Sequence, residues 1–258
     1  MLSLVLATLL GTPVAPARTI TAFDTLRVEV GSRLVNGRVY QPHAARVRVR
    51  IGASDSPLTA EWTNELTLGD SAGRPVMRWV TRGTRFPAPG DTIRWEIFQT
   101  YDAETLAPYG YASQSSTGAS SRLVLSGRRV QGVRRLPGDS TVHPVDLVLD
   151  RAGFIASASD LVPLAVGLKI GRVIVAPVWG PALANSELRA FSILERIPVD
   201  VEGTRVEAWK VEERRYADRT LVATWYLTEA SPYMVYGEVV LPDGRVQRMT
   251  EVAIPSRP

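Results

Sequence analysis

The fifty residues from Arg205 to Ile254 constrain the fold of this chain more than any other feature. They contain four runs rich in β-branched and aromatic residues, and short turns separate these runs. Such composition favours β-strands over helices. Pro242-Asp243-Gly244, between the last two runs, is typical of a hairpin turn. The stretch therefore predicts the closing half of an antiparallel sheet.

Apolar residues in this stretch occupy both faces of the predicted sheet. Trp225 and Tyr226 are adjacent in the sequence, and so are Met234 and Val235. Successive side chains of a strand point to opposite faces, so each face carries large apolar groups here. A flat sheet with one solvent-exposed face would carry polar side chains on that face instead. The pattern predicts a sheet that is covered twice, or one that curves around something.

Most of the remaining chain has the same character. Alternating or fully apolar runs include Leu26 to Val30, Arg46 to Ile51 and Thr92 to Thr100, and Asn36-Gly37 is a hairpin signal. We expect ten to twelve strands in one domain, residues 18–258, with a mainly β, curved antiparallel fold of the half-barrel type.

One stretch, Ser157 to Gly167, predicts a helix. Ser159 can cap it, Asp160 suits its positive end and Gly167 can end it. Leu161, Leu164, Ala165 and Leu168 form an apolar stripe at spacings of three and four residues. We expect this stripe to pack on the concave side of the sheet as a lid near 159–167. A lid predicts that Leu164→Asp would weaken ligand binding and leave most of the sheet folded.

The first seventeen residues have the pattern of a signal peptide. The apolar run Leu2 to Leu10 is too short to span a bilayer, and Ala15-Pro16-Ala17 offers small residues for cleavage. We therefore expect an exported protein, either periplasmic in a Gram-negative bacterium or otherwise exported, with residues 1–17 removed. No other long apolar segment follows, so we expect no integral membrane span after cleavage, although peripheral membrane contact fits the same location.

Composition narrows the function classes. The chain has no cysteine, which excludes disulfides and thiolate chemistry. The net charge is +4, but the arginines are dispersed, as in Arg46, Arg48 and Arg50, which alternate with apolar residues. Nucleic-acid surfaces cluster their basic residues. We therefore expect no nucleic-acid partner.

Sequence signals for catalysis are absent. His43 and His143 are the only histidines and lie far apart, which is not the spacing of a zinc site, and no phosphate-cradling or dinucleotide motif is present. No Gly-x-Ser-x-Gly motif marks a nucleophile. Asp102 and Glu104 belong to a turn that side-chain hydrogen bonds would stabilise. We expect no metal, no cofactor and no enzyme; a hydrolase would need three or more polar side chains converging in one pocket.

Several segments resemble, in order, a bacterial exported family of unknown function related in fold to the LolA/LolB lipoprotein carriers. The matching segments are D-A-E-T-L-A-P-Y (102–109), D-L-V-P-L-A-V-G-L-K-I-G (160–171), V-E-G-T-R-V-E-A-W-K-V-E (201–212) and T-W-Y-L-T-E-A-S-P-Y-M-V (224–235). The resemblance implies a half-barrel with a helical lid on its concave side, where the carriers hold acyl chains. No catalytic residues carry over, and a lipobox is absent.

The leading functional hypothesis is therefore a non-catalytic periplasmic carrier. It would hold an amphiphile, a lipid or lipoprotein, in an apolar cleft, with arginines at the rim for an anionic head group. The predicted lining residues are Trp95, Ile97, Leu161, Leu164, Leu168, Trp225, Met234 and Tyr236. The alternatives are a structural or interaction module of the envelope without a ligand, and an uncharacterised hydrolase.

Overall fold

The computed structural model describes residues 24–53 and 55–254. The predicted signal peptide, residues 1–17, lies outside this range. The described strands are β1 (Asp24–Arg27), β2 (His43–Ile51), β3 (Leu58–Ser71), β4 (Arg74–Arg85), β5 (Ile93–Asp102), β6 (Pro108–Ser115), β7 (Ser120–Ser126), β8 (Arg129–Arg135), β9 (His143–Val148), β10 (Phe154–Ile155), β11 (Arg172–Trp179), β12 (Glu187–Val201), β13 (Thr204–Arg215), β14 (Leu221–Leu227), β15 (Met234–Val240) and β16 (Val246–Ala253). The helices are α1 (Leu161–Val166) and two 3₁₀ turns, Gly37–Val39 and Ala156–Ala158.

All sixteen described strands belong to one open sheet. Its order is β1-β11-β12-β13-β14-β15-β16-β2-β3-β4-β5-β6-β7-β8-β9. The short strand β10 lies on the same side of β11 as β1 and pairs with the C-terminal end of β11, whereas β1 pairs with its N-terminal end. Every pair is antiparallel except the pairs of β11 with β1 and with β10. The predicted mainly β, curved antiparallel fold with few helices is confirmed. The strand count exceeds ten to twelve partly because a turn at Gly127 (φ 56°) divides the run from Ser120 to Val133 into β7 and β8.

The two ends of the sheet meet through side chains. Trp179 of β11 packs in one buried cluster with Leu123, Leu125, Val130 and Leu149 from the β7–β9 end. The short strand β10 approaches β11 closely because Gly153 precedes it. A Cβ at Gly153 would lie 2.6 Å from the Cβ of Trp179. Packing therefore curls the sheet into a barrel-like shape without closing its hydrogen-bond ladder.

A long hairpin covers part of the outer face. The register between β12 and β13 shifts between Ile193 and Glu195, and such a bulge bends a strand. Beyond the bend, Val201 and Ala208 pack with Val235 of β15 in a small cluster that also includes Val199, Val206, Tyr226 and Val252. This explains the apolar residues on both faces of the closing stretch, since the sheet is both curved and covered.

The helix α1 lies in the main core. Five of its six residues are buried, and Leu161, Val162, Leu164 and Ala165 belong to the largest hydrophobic cluster. It ends at Gly167 (φ 105°), as predicted. The predicted cap is wrong, because the Ser159 hydroxyl donates to Glu213 and Asp160 takes the N-cap position without a side-chain cap bond. Within residues 24–53 and 55–254, no helix is long and apolar enough to cross a membrane.

The predicted hairpin at Asn36-Gly37 is also wrong. The segment forms a 3₁₀ turn, in which the Asn36 side chain accepts from the backbone N–H of Arg38. Gly37 lies so close to the β5–β6 turn that a Cβ there would be 2.4 Å from the carbonyl oxygen of Ala103. The backbone N–H of Asn36 donates to the carbonyl of Ala165 at 2.8 Å. The segment therefore joins α1 to the sheet instead of pairing with itself.

Candidate functional site

A cavity of about 990 Å³ occupies the concave side of the sheet. The inward faces of β2–β5 and of β13–β16 form its walls, and the segment from Ala156 to Asp160 lies at its deep end. The apolar lining residues include Val49, Ile51, Ala60, Trp62, Trp79, Ile93, Trp95, Ile97, Ala223, Trp225, Met234, Val239 and Met249. A volume of this order is typical of sites that enclose small organic ligands.

Two glycines make room for the tryptophans of the walls. Gly83 lies between Trp62 and Trp95 in the register of β3, β4 and β5, and a Cβ there would be 2.6 Å from the Cβ of Trp62. The two indoles meet edge to face, with ring centroids 5.7 Å apart. On the other wall, a Cβ at Gly237 would lie 3.0 Å from the Trp225 ring. The aromatic lining thus depends on small residues in the neighbouring strands.

The open end of the cavity carries exposed residues. Arg85, Phe86, Pro87 and Arg245 line it there and are exposed to solvent, together with the half-buried Leu241. The Arg245 guanidinium is paired with the Asp243 carboxylate at 2.7 Å. Exposed ion pairs contribute little to free energy, because water and salt screen them.

The deep end is polar, and Glu213 is its best-connected group. This buried carboxylate accepts from the Ser159 hydroxyl at 3.1 Å and from the Trp225 indole N–H at 2.9 Å, both through Oε2. Its Oε1 accepts from Nη1 of the buried Arg189 at 3.1 Å. Burial raises the pKa of Glu213, and these donors oppose the rise. Glu213 therefore ties the segment before α1 and the Trp225 ring to β13.

A second buried carboxyl, Glu251, ends a chain of hydrogen bonds. The Thr81 hydroxyl donates to Oδ1 of Asn64 at 3.0 Å, and Nδ2 of Asn64 donates to Oε1 of Glu251 at 2.9 Å. Glu251 is only 3% exposed. Burial raises its pKa to about 8, with the Asn64 bond opposing and the Asp160 charge adding to the rise.

Asp160 is the third carboxyl of the deep end. Among the described residues, no other residue donates a hydrogen bond to its carboxylate, and no basic side chain forms an ion pair with it. Burial raises its pKa to about 7; its own backbone N–H opposes the rise, and the Glu213 charge adds to it. Two carboxyls that change charge near neutral pH thus face one cavity, a feature that is frequent at functional sites.

Four of the eight predicted lining residues face this cavity: Trp95, Ile97, Trp225 and Met234. The other four do not. Leu161 and Leu164 are buried in the core, and Leu168 packs against it, so α1 does not cover the cavity mouth. Tyr236 contacts Tyr226, at 5.3 Å between ring centroids, and its hydroxyl donates to Glu238. Ligand binding by the four cavity residues stays a prediction.

The polar groups of the deep end were missed from the sequence. Glu213 and Glu251 occupy strand positions whose neighbours two residues away, Val211 and Met249, point inward. The available signal was an acidic residue among the alternate strand positions that otherwise carry apolar, inward-facing side chains. This signal was hard to recognise because the remaining positions of both strands also carry polar residues.

Other sequence candidates are satisfied locally. The Asp102 carboxylate accepts from the backbone of Glu104 and Thr105 and from the Tyr109 hydroxyl, which confirms the predicted turn network. Burial raises the pKa of Asp102, but these bonds outweigh it and leave the pKa below its ordinary value. His43 packs against Trp79 and Tyr233, whereas His143 contacts Asp139 at 2.7 Å. In the described part of the chain, no group of three or more metal-ligating side chains could hold a metal ion.

A second depression, of about 690 Å³, lies on β3–β5. It shares Trp62 and Trp95 with the interior cavity and is otherwise lined mainly by outward side chains. Its central arginine, Arg82, pairs with Glu96 at 2.7 Å and Glu65 at 3.3 Å. The amide of Gln114 donates to the same Glu96 carboxylate. Since these polar groups already have partners, the interior cavity is the better candidate.

Comparisons with other proteins bear on the fold alone. No protein-family model matches the chain, and no curated protein matches it by sequence. A β-barrel-like protein of Brucella abortus, from the domain of unknown function DUF1849, is similar in structure, with a TM-score of 0.53 and 12% identity over 83% of this chain and 98% of that chain. A DUF1089 family protein of Pseudomonas aeruginosa aligns with a TM-score of only 0.31 and 15% identity, over 73% of this chain and 87% of that chain. The first similarity supports the barrel-like architecture.

Proposed function

We propose that this protein binds the apolar part of an amphiphile, a lipid or a lipidated partner, inside the cavity. The carrying observation is the cavity of about 990 Å³ with Trp62, Trp95 and Trp225 in its walls. Apolar surface in contact with water costs roughly 25 cal/mol per Å², so an alkyl chain that covers these rings gains binding free energy. This arrangement supports the carrier role that the LolA/LolB resemblance suggests.

The proposal includes a subcellular location, the periplasm. A protein exported through residues 1–17 would meet lipids in the periplasm, where peripheral contact with a membrane could load or unload the cavity. A barrel-like wall with an open end suits that exchange, because a ligand can enter without unfolding of the sheet. Binding would involve no catalytic step.

A pair of neighbouring residues on β5 tests the proposal. Ile97 lines the cavity, whereas Phe98 points outward and is 37% exposed. Ile97→Arg should weaken the binding of N-phenyl-1-naphthylamine, an uncharged apolar probe, at least tenfold, because it would place a charged, hydrated guanidinium among the apolar lining residues. Phe98→Arg is the matched control and should leave the dissociation constant unchanged. Probe fluorescence measures binding, and circular dichroism checks that both variants are folded.

Equal binding by the two variants would contradict the proposal. So would the absence of any probe binding by the wild type, combined with no lipid in organic extracts of the protein purified from its native envelope. That pair of results would favour a structural or interaction module without a ligand.

One observation favours hydrolysis as a second candidate function. Polar side chains do converge in one pocket, and burial brings the pKa values of Asp160 and Glu251 to about 7 and 8. Groups that titrate near neutrality suit general acid–base catalysis. If hydrolysis is the function, a panel of nitrophenyl esters and glycosides should include a substrate whose turnover falls at least a hundredfold in Asp160→Asn. No turnover of any substrate, or turnover that the variant retains, would exclude this role.

A further inference from the structure

The deep end of the cavity has an imbalance of charge. Among the residues that the structure describes, its acidic side chains are Asp160, Glu213 and Glu251, and its one basic side chain is Arg189. Two nitrogens of the Arg189 guanidinium are already engaged, Nη1 by Glu213 at 3.1 Å and Nη2 by Glu187 at 2.8 Å, whereas its Nε has no partner among the described residues. Among the described residues, Asp160 and Glu251 therefore have no cationic partner.

Glu251 has unused acceptor capacity that faces the cavity. The side chain is more than nine-tenths buried, and only its Oε1 accepts a hydrogen bond from the described residues, from Asn64. Asp160, which also lines the cavity, accepts none from another described residue. Glu251 is buried and Asp160 is half-buried. A carboxylate away from water is costly without partners, and a bound cation with N–H donors would supply them to both groups.

We propose that the deep end of the cavity binds a primary ammonium group, so that the ligand is an amine-bearing amphiphile. This inference rests on the proposed function, since the apolar walls would hold the rest of the molecule. An ammonium group has three N–H donors and no acceptor, which matches a site with free carboxylate oxygens. The tryptophan rings that line the same cavity can add cation–π attraction.

The arginines at the open end of the cavity do not argue against an ammonium ligand. These arginines are exposed, and Arg245 already pairs with Asp243. Water and salt would therefore screen the attraction between these arginines and the anionic head group that the sequence predicts there. Glu251 is buried, and a charge contact is stronger in a medium of low polarity. Selectivity should therefore be set at the deep end.

The groups that surround the two carboxyls define the pH range of the effect. They are Tyr40, Tyr101, Asn64, Arg189 and Glu213. Burial, with a further contribution from the Asp160 charge, raises the pKa of both tyrosines well above their ordinary value, so they stay neutral. Between pH 6 and 9 the charge change in this group therefore belongs mainly to the carboxyls, with pKa values of about 7 and 8.

Three probes of equal chain length test the proposal: dodecylamine, dodecanol and dodecanoate, each below its micelle-forming concentration. Quenching of tryptophan fluorescence gives the dissociation constants at pH 6 and pH 9. At pH 9 dodecylamine should bind at least tenfold more tightly than dodecanol, and this ratio should shrink towards one at pH 6, where the carboxyls are protonated. Asp160→Asn and Glu251→Gln should each reduce the ratio, while the outward-facing control Glu65→Gln should keep it.

The outcomes separate the two proposals. If dodecanol binds and dodecylamine shows no advantage at pH 9, or if dodecanoate is preferred, the ammonium site is wrong and the apolar cavity stands. If none of the three probes binds, the proposed function fails as well. The Asn and Gln variants resemble the protonated carboxyls in shape, so they should keep the fold, and their circular dichroism should match that of the wild type.

Discussion

Leu164→Asp is expected to destabilise the whole protein. Leu164 lies in α1, is 7% exposed and belongs to the main hydrophobic cluster. Removal of a buried leucine side chain alone costs about 3–5 kcal/mol, and a buried carboxylate without a partner adds to that. For a chain of this size, the Tm should fall by roughly 10–15 °C or more in thermal denaturation followed by circular dichroism.

Ile170→Asp provides the matched control for that experiment. Ile170 follows the same helix and is 57% exposed, so its substitution should change the free energy of unfolding by less than about 0.5 kcal/mol. The lid interpretation of the helix makes the opposite prediction for Leu164→Asp. If the Leu164→Asp variant kept the wild-type Tm but lost probe binding, the result would support the interpretation of α1 as a lid and contradict its position in the core.

The sequence predicted the type of fold because local patterns carry that information. Composition and turns indicated strands, and Gly167 marked the end of the helix. The pairing of strand ends could not be predicted in the same way. The parallel contacts of β1 and β10 with β11, and the packing of Trp179 against Leu149, join residues far apart in sequence. No local period specifies which edges meet.

The errors at Asn36-Gly37 and Ser159 have a common physical cause. In both places a residue suited to one local role forms a longer-range contact instead. The backbone N–H of Asn36 donates to the carbonyl of the buried Ala165, and the Ser159 hydroxyl donates to Glu213; both partners are far away in sequence. Such contacts satisfy buried polar groups of the core, which is a stronger requirement than a turn or a cap at the surface.

The candidate site was half predictable for a related reason. Apolar lining residues such as Trp95 and Ile97 follow from alternation along a strand. The carboxyls of Asp160 and Glu251 come from a 3₁₀-to-helix junction and from the last strand, and only the curvature of the sheet brings them to one cavity. The chemistry of the deep end therefore depends on tertiary structure.

Glu251→Gln is expected to stabilise the protein at alkaline pH and to leave it almost unchanged at pH 5. An exposed glutamate has an ordinary pKa of 4.5, whereas burial raises that of Glu251 to about 8. Between these values the folded protein holds a proton that the unfolded chain has released. The free energy of unfolding of the wild type therefore falls as pH rises through this window, by roughly 5 kcal/mol in total.

Glutamine removes this loss because it is neutral at every pH. Its side-chain oxygen can accept from Nδ2 of Asn64 as Oε1 of Glu251 does, so the hydrogen-bond chain from Thr81 is kept. Urea unfolding followed by tryptophan fluorescence should show nearly equal stability at pH 5 and a gain of about 4 kcal/mol at pH 8.5. Glu65→Gln, on the outer face of β3, should follow the wild type across the range.

Asp160→Asn should narrow the pH range over which the free energy of unfolding falls and move the upper end of that range to lower pH. The Asp160 charge is one of the causes that raise the pKa of Glu251, so its removal should lower the pH at which Glu251 ionises. The pH-dependent loss of stability in the variant should then be smaller than in the wild type and complete at lower pH. A wild-type stability that stays constant or rises from pH 5 to 8 would mean that the two carboxyls are hydrated and ionised, and that the deep end of the cavity is not the low-polarity site described above.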